Sequence, residues 1–137
     1  MEKAKNKGVN IILPEDAHIA KIKPDEELTE EVVEQAQNEI VNLYTEKEIE
    51  EGKGKNLEGW QILDVGDTTL TKFAEKLDGA KTVVWNGPLG YTEVQKYAHG
   101  TETIANYIAK CGAKTVIGGG DSVAAIQKIK KKLNKLQ

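Results

Sequence analysis

The sequence predicts an α/β protein, on two observations. Strand and helix patterns alternate through its second half, and two of the apolar runs there close on glycine-rich turns. Such alternation argues for a parallel sheet with helices packed on its faces. The expected architecture is Rossmann-like, three layers α/β/α around a mostly parallel sheet of about four strands. In such sheets ligands bind at the carboxyl ends of the strands, and both glycine turns fall at those ends.

Val9-Asn10-Ile11-Ile12-Leu13 is a short apolar run stopped by Pro14, which reads as a buried strand. Pro14-Glu15-Asp16 reads as a turn, and residues 17–23 as a second short strand. Leu28, Val32, Ala36, Ile40 and Leu43 recur at helical spacing. Thr29 is placed to cap this helix, and Glu30 and Glu31 suit its positive end. Residues 46–58 are polar and contain Gly52 and Gly54, the pattern of a loop or a weak helix end. Residues 60–65 read as the next strand. A helix follows from Thr68 or Thr69 through Leu77, with Leu70, Phe73, Ala74 and Leu77 on one face. Residues 81–85 form a further strand, closed by the Asn86-Gly87-Pro88-Leu89-Gly90 loop. Residues 100–110 are helical, with Ile104, Tyr107 and Ile108 as the apolar stripe. Residues 115–117 read as a strand, and Asp121-Ser122 caps a last helix bearing Ile126, Ile129, Leu133 and Leu136.

A chain of 137 residues is expected to form one domain, here 1–137, with an acidic helical segment over 24–58. No apolar run approaches the roughly 20 residues that cross a bilayer, and no signal peptide follows the lysine-rich start. A cytoplasmic location is expected. The one cysteine, Cys111, reads as a small buried residue at a helix end. A net charge of −3 does not favour nucleic acid, and no membrane partner is expected. Charge is uneven. Residues 24–51 hold eleven acids and one lysine, whereas residues 126–137 hold five lysines and no acid. The chain has no arginine, the usual bidentate grip on carboxylates and phosphates. His18 and His99 lack any paired-ligand spacing and read as surface or loop residues.

The Gly118-Gly119-Gly120-Asp121-Ser122 segment joins a strand to a helix start. Glycines there let a ligand approach the backbone closely, and the helix offers unpaired N–H groups and a positive dipole end to a phosphate. Asp121 suits Mg²⁺, which takes one or two protein carboxylates and keeps most of its waters. A tight strand-to-helix connection explains the same turn. The spacing is not that of a Walker loop.

The run Val83-Val84-Trp85-Asn86-Gly87-Pro88-Leu89-Gly90, with Glu93 three residues on, is more specific. With Ile117-Gly118-Gly119-Gly120-Asp121-Ser122 it resembles the two strand-end motifs of phosphoglycerate kinases, in order and at similar separation. Lys96-Tyr97-Ala98-His99-Gly100-Thr101, Leu13-Pro14-Glu15-Asp16 and Leu63-Asp64-Val65-Gly66 are similar to further segments of that family. The likeness is to part of its C-terminal, nucleotide-binding domain, and is poorest over residues 23–57. The resemblance implies binding of Mg-ADP or Mg-ATP. Asn86 would lie near ribose and phosphates, Pro88 against the nucleotide, and Leu63 beside the adenine. Glu93 would accept from the ribose hydroxyls. Gly118, Gly119 and Gly120 would turn backbone donors toward the transferring phosphates, Ser122 would serve the phosphate end, and Asp121 the Mg²⁺.

The family's acceptor-binding domain and nucleotide-site lysines have no counterpart here, so the chain alone is expected to have no phosphoglycerate kinase activity. Ile62 stands where the family has glycine and is positioned to fill the adenine pocket, so any nucleotide binding is expected to be weak. Three readings remain open: a nucleotide-binding remnant, a non-catalytic structural or interaction module, and one half of a split kinase needing a partner. A homodimer through a free sheet edge is a further form of the last two.

Overall fold

The computed structural model describes residues 8–54, 56–120 and 122–127. Among the described residues five strands are distributed over two sheets. The first is antiparallel, with β1 (Asp16–Lys21) between β2 (Asn38–Asn42) and β3 (Trp60–Val65). The second is the parallel pair β4 (Thr82–Asn86) and β5 (Lys114–Gly118). Four helices complete the named elements: α1 (Glu30–Gln35), α2 (Glu46–Glu50), α3 (Asp67–Leu77) and α4 (His99–Lys110), with a 3-10 turn at Gln95–Tyr97. Residues 122–127 lie in the last described helix.

The α/β class holds, but the single, mostly parallel sheet does not. Among the described residues only β4 and β5 pair in parallel. The cause lies in residues 29–43, where the apolar spacing predicts one helix. Helix α1 has a side-chain cap from Thr29 but stops at Gln35, and Ala36 turns to extended backbone. Asn38 then donates its side-chain amide to the Ala36 carbonyl at 3.1 Å, and its Oδ1 meets His18 Nε2 at 2.8 Å. Ile40 and Val41, β-branched and suited to a strand, pair with β1 instead of extending the helix. An open edge on β1 outweighs helical spacing.

Residues 9–13 are not a strand either. Val9, Ile11 and Leu13 are exposed, and among the described residues they have no ladder partner. A strand requires a pairing edge as well as apolar side chains.

Two cores follow from the two sheets. Ala20, Ile22, Val33, Leu63, Val94 and Tyr97 form one under the antiparallel sheet. Val65, Leu70, Val83, Trp85, Ile104 and Ile108 form the other, joined by Phe73, Leu77 and Ile126. Helices α3 and α4 thus cover the face of β4 that bears Val83 and Trp85. On the opposite face Val84 is 72% exposed and Val116 48%, so among the described residues this sheet has helices on one side only. Trp85 and Tyr97 are core residues, and Trp60 is half-buried. Cys111 is half-buried at the end of α4.

Candidate nucleotide site

In the parallel pair Asn86 stands directly opposite Gly118, so the chain leaves both strands at the same level. The two loops that follow are tied together. Gly87 N–H donates to Ser122 Oγ, and Ser122 is 1% exposed. Trp85 Nε1 donates to the Gly87 carbonyl at 2.6 Å, fixing the loop to its own strand. Gly87 and Gly119 both have positive φ, 91° and 83°, backbone that glycine adopts without steric cost. At Gly119 a Cβ would lie 3.0 Å from Asn86 Oδ1, so the crossing is close as well as left-handed. At Gly120 a Cβ would meet nothing within 4 Å, which leaves open space before the first turn of the last helix.

Leu89 N–H donates to buried Thr101 Oγ1 at 3.0 Å, and Tyr91 N–H to the Leu63 carbonyl at 2.8 Å. These bonds bend the loop back over β3, bringing Pro88, Gly90, Tyr91, Thr92 and Glu93 against Ala124 and Ala125 of the last helix. A cleft of about 340 Å³ lies between them, at the lower end of the size usual for small-molecule sites. Burial, then the negative charges of Glu93 and Glu30, push the Tyr91 phenol up, so its hydroxyl remains a donor at neutral pH.

The structure therefore brings Pro88 and Glu93 into one cleft wall and sets Asn86, Gly118, Gly119, Gly120 and Ser122 at the adjoining strand ends. Leu63 is elsewhere. It is 6% exposed, lies in the antiparallel core, and touches the loop through its carbonyl. Ile62 points outward, 55% exposed, and is not among the cleft-lining residues. Asp121, the expected Mg²⁺ ligand, lies outside the described residues. Among the described residues no group of three His, Cys, Asp or Glu side chains is poised for a metal.

Sequence patterns missed four residues that shape this site. Ala124 and Ala125 form the second wall, and Thr101 anchors the loop. Asp64, 2% exposed, accepts from Gly100 N–H at 3.0 Å and Val65 N–H at 2.9 Å. A carboxylate inside the apolar run Ile62–Val65 was the available signal. Burial raises its pKa above the ordinary carboxylate value, against the pull of those two N–H groups and of His99 and His18. His99 and His18 are otherwise paired with Asp67 and Asn38, each through Nε2.

The family model described as phosphoglycerate kinase matches residues 1–135. The chain is 41% identical over 133 residues to the cytosolic phosphoglycerate kinase 3 of Arabidopsis thaliana, covering 94% of this chain and 28% of that protein. It is 41% identical over 128 residues to the phosphoglycerate kinase of Pseudothermotoga lettingae, covering 93% of this chain and 28% of that one. The solved phosphoglycerate kinase of Coxiella burnetii superposes with a TM-score of 0.73 at 32% identity, over 96% of this chain and 29% of that structure. The chain thus spans about 28% of the length of the curated relatives it matches. Their names include both cytosolic and chloroplastic proteins.

Proposed function

The chain belongs to the phosphoglycerate kinase family of glycolytic kinases, and from that premise we propose that its two strand-end loops form a weak site for Mg-ADP or Mg-ATP. The observation that carries the reading is the cleft that sets Pro88 and Glu93 opposite the helix following the Gly118–Gly120 turn. A carboxylate at Glu93 accepts from two ribose hydroxyls at once. The open backbone at Gly120 and the helix N-terminus behind it favour phosphate oxygens. Asn86, already close to Gly119, orients between ribose and phosphate. Asp121 and Ser122 belong to the Mg²⁺ and phosphate end, where the metal supplies charge neutralisation of the phosphates when bound. The exposed Ile62 does not crowd this cleft. Phosphoryl transfer also needs an acceptor site, so this chain by itself binds but does not transfer. We place it in the cytoplasm.

Calorimetry with Mg-ADP tests the reading. Weak heat is expected in the wild type, and Glu93→Ala should reduce affinity about tenfold or more, the effect of losing a hydrogen bond to a charged acceptor. Absence of heat at millimolar nucleotide would sink it.

A second reading rests on the open face of the parallel pair, where Val84 is 72% exposed. Parallel strands are ordinarily covered on both faces. On this reading that face receives the remainder of the kinase fold. Adding the separately produced remainder of a phosphoglycerate kinase should yield a complex and recover activity; two species that run separately on a sizing column would rule it out.

A further inference from the structure

The register of β3 against β1 slips by one residue. His18 lies opposite Asp64 and Ile19 opposite Ile62, so Leu63 has no partner on β1. Such a bulge frees one residue from the ladder and re-aims its neighbours. Here Leu63, Asp64 and Val65 are all buried in succession, which a regular strand with alternating faces does not produce. The freed Leu63 carbonyl accepts from Tyr91 N–H at 2.8 Å. Asp64 turns toward the chain that follows β4. One oxygen accepts from Gly100 N–H in the first turn of α4 and the other from Val65 N–H.

Two glycines close over this bulge. A Cβ at Gly90 would lie 2.5 Å from the Leu63 carbonyl, 2.5 Å from the Tyr97 carbonyl and 2.8 Å from Asp64 Oδ1. A Cβ at Gly100 would lie 2.4 Å from Asp64 Oδ1. The Asp64 carboxylate is therefore wedged between the start of α4 and the middle of the loop that bears Pro88 and Glu93. It does not line the cleft.

We propose that Asp64 is a positioning residue for the nucleotide site: from the β3 bulge its buried carboxylate holds the Pro88–Glu93 loop and the start of α4 in the geometry that accepts nucleotide. The role at the cleft rests on the nucleotide reading above; the hold on the loop does not. The titratable groups facing Asp64 are His18 on β1, opposite it in register, and His99 on α4, itself paired with Asp67. Protonation removes the charge that two backbone N–H groups and a helix N-terminus face, so the loop amides should register the step at which Asp64 takes up its proton.

An NMR titration of the nucleotide-free chain tests the hold directly. The amide signals of Leu89, Gly90 and Tyr91 are expected to move together with the Asp64 carboxyl, and separately from Asp16, which titrates lower. Loop amides that stay flat through the Asp64 titration would overturn the proposal. Asp64→Asn keeps the size but turns an amide N–H toward a backbone N–H. It should weaken Mg-ADP about tenfold, a usual size for coupling between sites, with the circular dichroism spectrum retained. Unchanged affinity would also overturn it. Should that variant unfold, Gly90→Ala serves instead, since it pushes the loop off the bulge and removes neither of the Asp64 donors, Gly100 N–H and Val65 N–H; its loop amides should no longer follow Asp64, and amides that still follow it would count against the proposal. If the wild type binds no nucleotide, the nucleotide reading fails, and the loop amides still decide the role of Asp64.

Discussion

Asp16 shows how one side chain joins distant parts of this chain. Helix α3 begins at Gly66 with no cap from its own sequence. Its first N–H groups are taken instead by Asp16, which accepts from Thr68 N–H at 3.1 Å, Thr69 N–H at 2.9 Å and Thr69 Oγ1 at 2.5 Å. Burial opposes the charged form, yet the bonds from Thr69 and Thr68 together outweigh it, and the carboxyl lies below its ordinary value. The folded state thus holds its proton less tightly than the unfolded chain. The stabilisation is complete above the unfolded value of about 3.9 and is lost as pH falls through the lower folded one. Urea unfolding from neutral pH into that acid range should show Asp16→Asn less stable than wild type by about 1 kcal/mol at neutral pH, the difference between hydrogen bonds to a charged and to a neutral acceptor. The gap should narrow on acidification, and a gap constant with pH would contradict the cap. Tyr97 is the opposite case. It is fully buried, and among the described residues its hydroxyl has no hydrogen-bond partner. Burial, then Glu34, raises its pKa. Removing an unsatisfied buried group should not destabilise, so Tyr97→Phe is expected to melt at or above the wild-type temperature, by up to about 1 kcal/mol.

Among the elements, α2 is a local structure that its own residues explain. Thr45 accepts from Glu48 N–H at 3.2 Å, and Glu48 accepts from Thr45 N–H at 2.8 Å, a complete capping box around five residues. None of those residues is buried, so the box holds the helix but little else. Thr45→Ala should cost about 1 kcal/mol locally, seen as faster amide exchange within residues 46–51 with no change in global melting. A matching fall in melting temperature would mean that α2 supports a core. Strand β2 is its counterpart. Residues 38–42 are held in place by pairing to β1 and by the Lys21 N–H bond to the Gln37 carbonyl at 2.8 Å, with the local Asn38–Ala36 bond only turning the chain into the strand.

At the scale of the molecule, the described residues form two small cores that meet where β3 runs into α3: Leu63 belongs to one and Val65 to the other. The parallel pair has helices on one face and exposed Val84 and Val116 on the other. Exposed positions away from special features tolerate substitution within about 0.5 kcal/mol. Val84→Lys should therefore leave the melting temperature of the isolated chain unchanged. The same variant should prevent association with the remainder of the kinase fold if that face is its seat. Normal association by Val84→Lys would place the contact elsewhere.

Much was legible in the residues themselves. The ends of β3, α3, β4, α4 and β5 follow from apolar spacing and glycine punctuation to within a residue or two, because those segments are decided locally. The two strand-end motifs were legible for the same reason: Asn86 through Glu93 and Gly118 through Ser122 are contiguous, and their glycines meet local backbone demands. Tertiary structure alone decided the rest. Residues 38–42 became a strand because β1 offered an edge, and residues 9–13 did not because no described strand offered them one. Leu63 left the cleft for the core because β3 bulges there. Asp16 and Asp64 acquired their roles only when helix starts more than thirty residues away were brought to them. Spacing along a chain records what each residue meets within a turn or a strand, whereas pairing edges and remote caps exist only once the chain has folded.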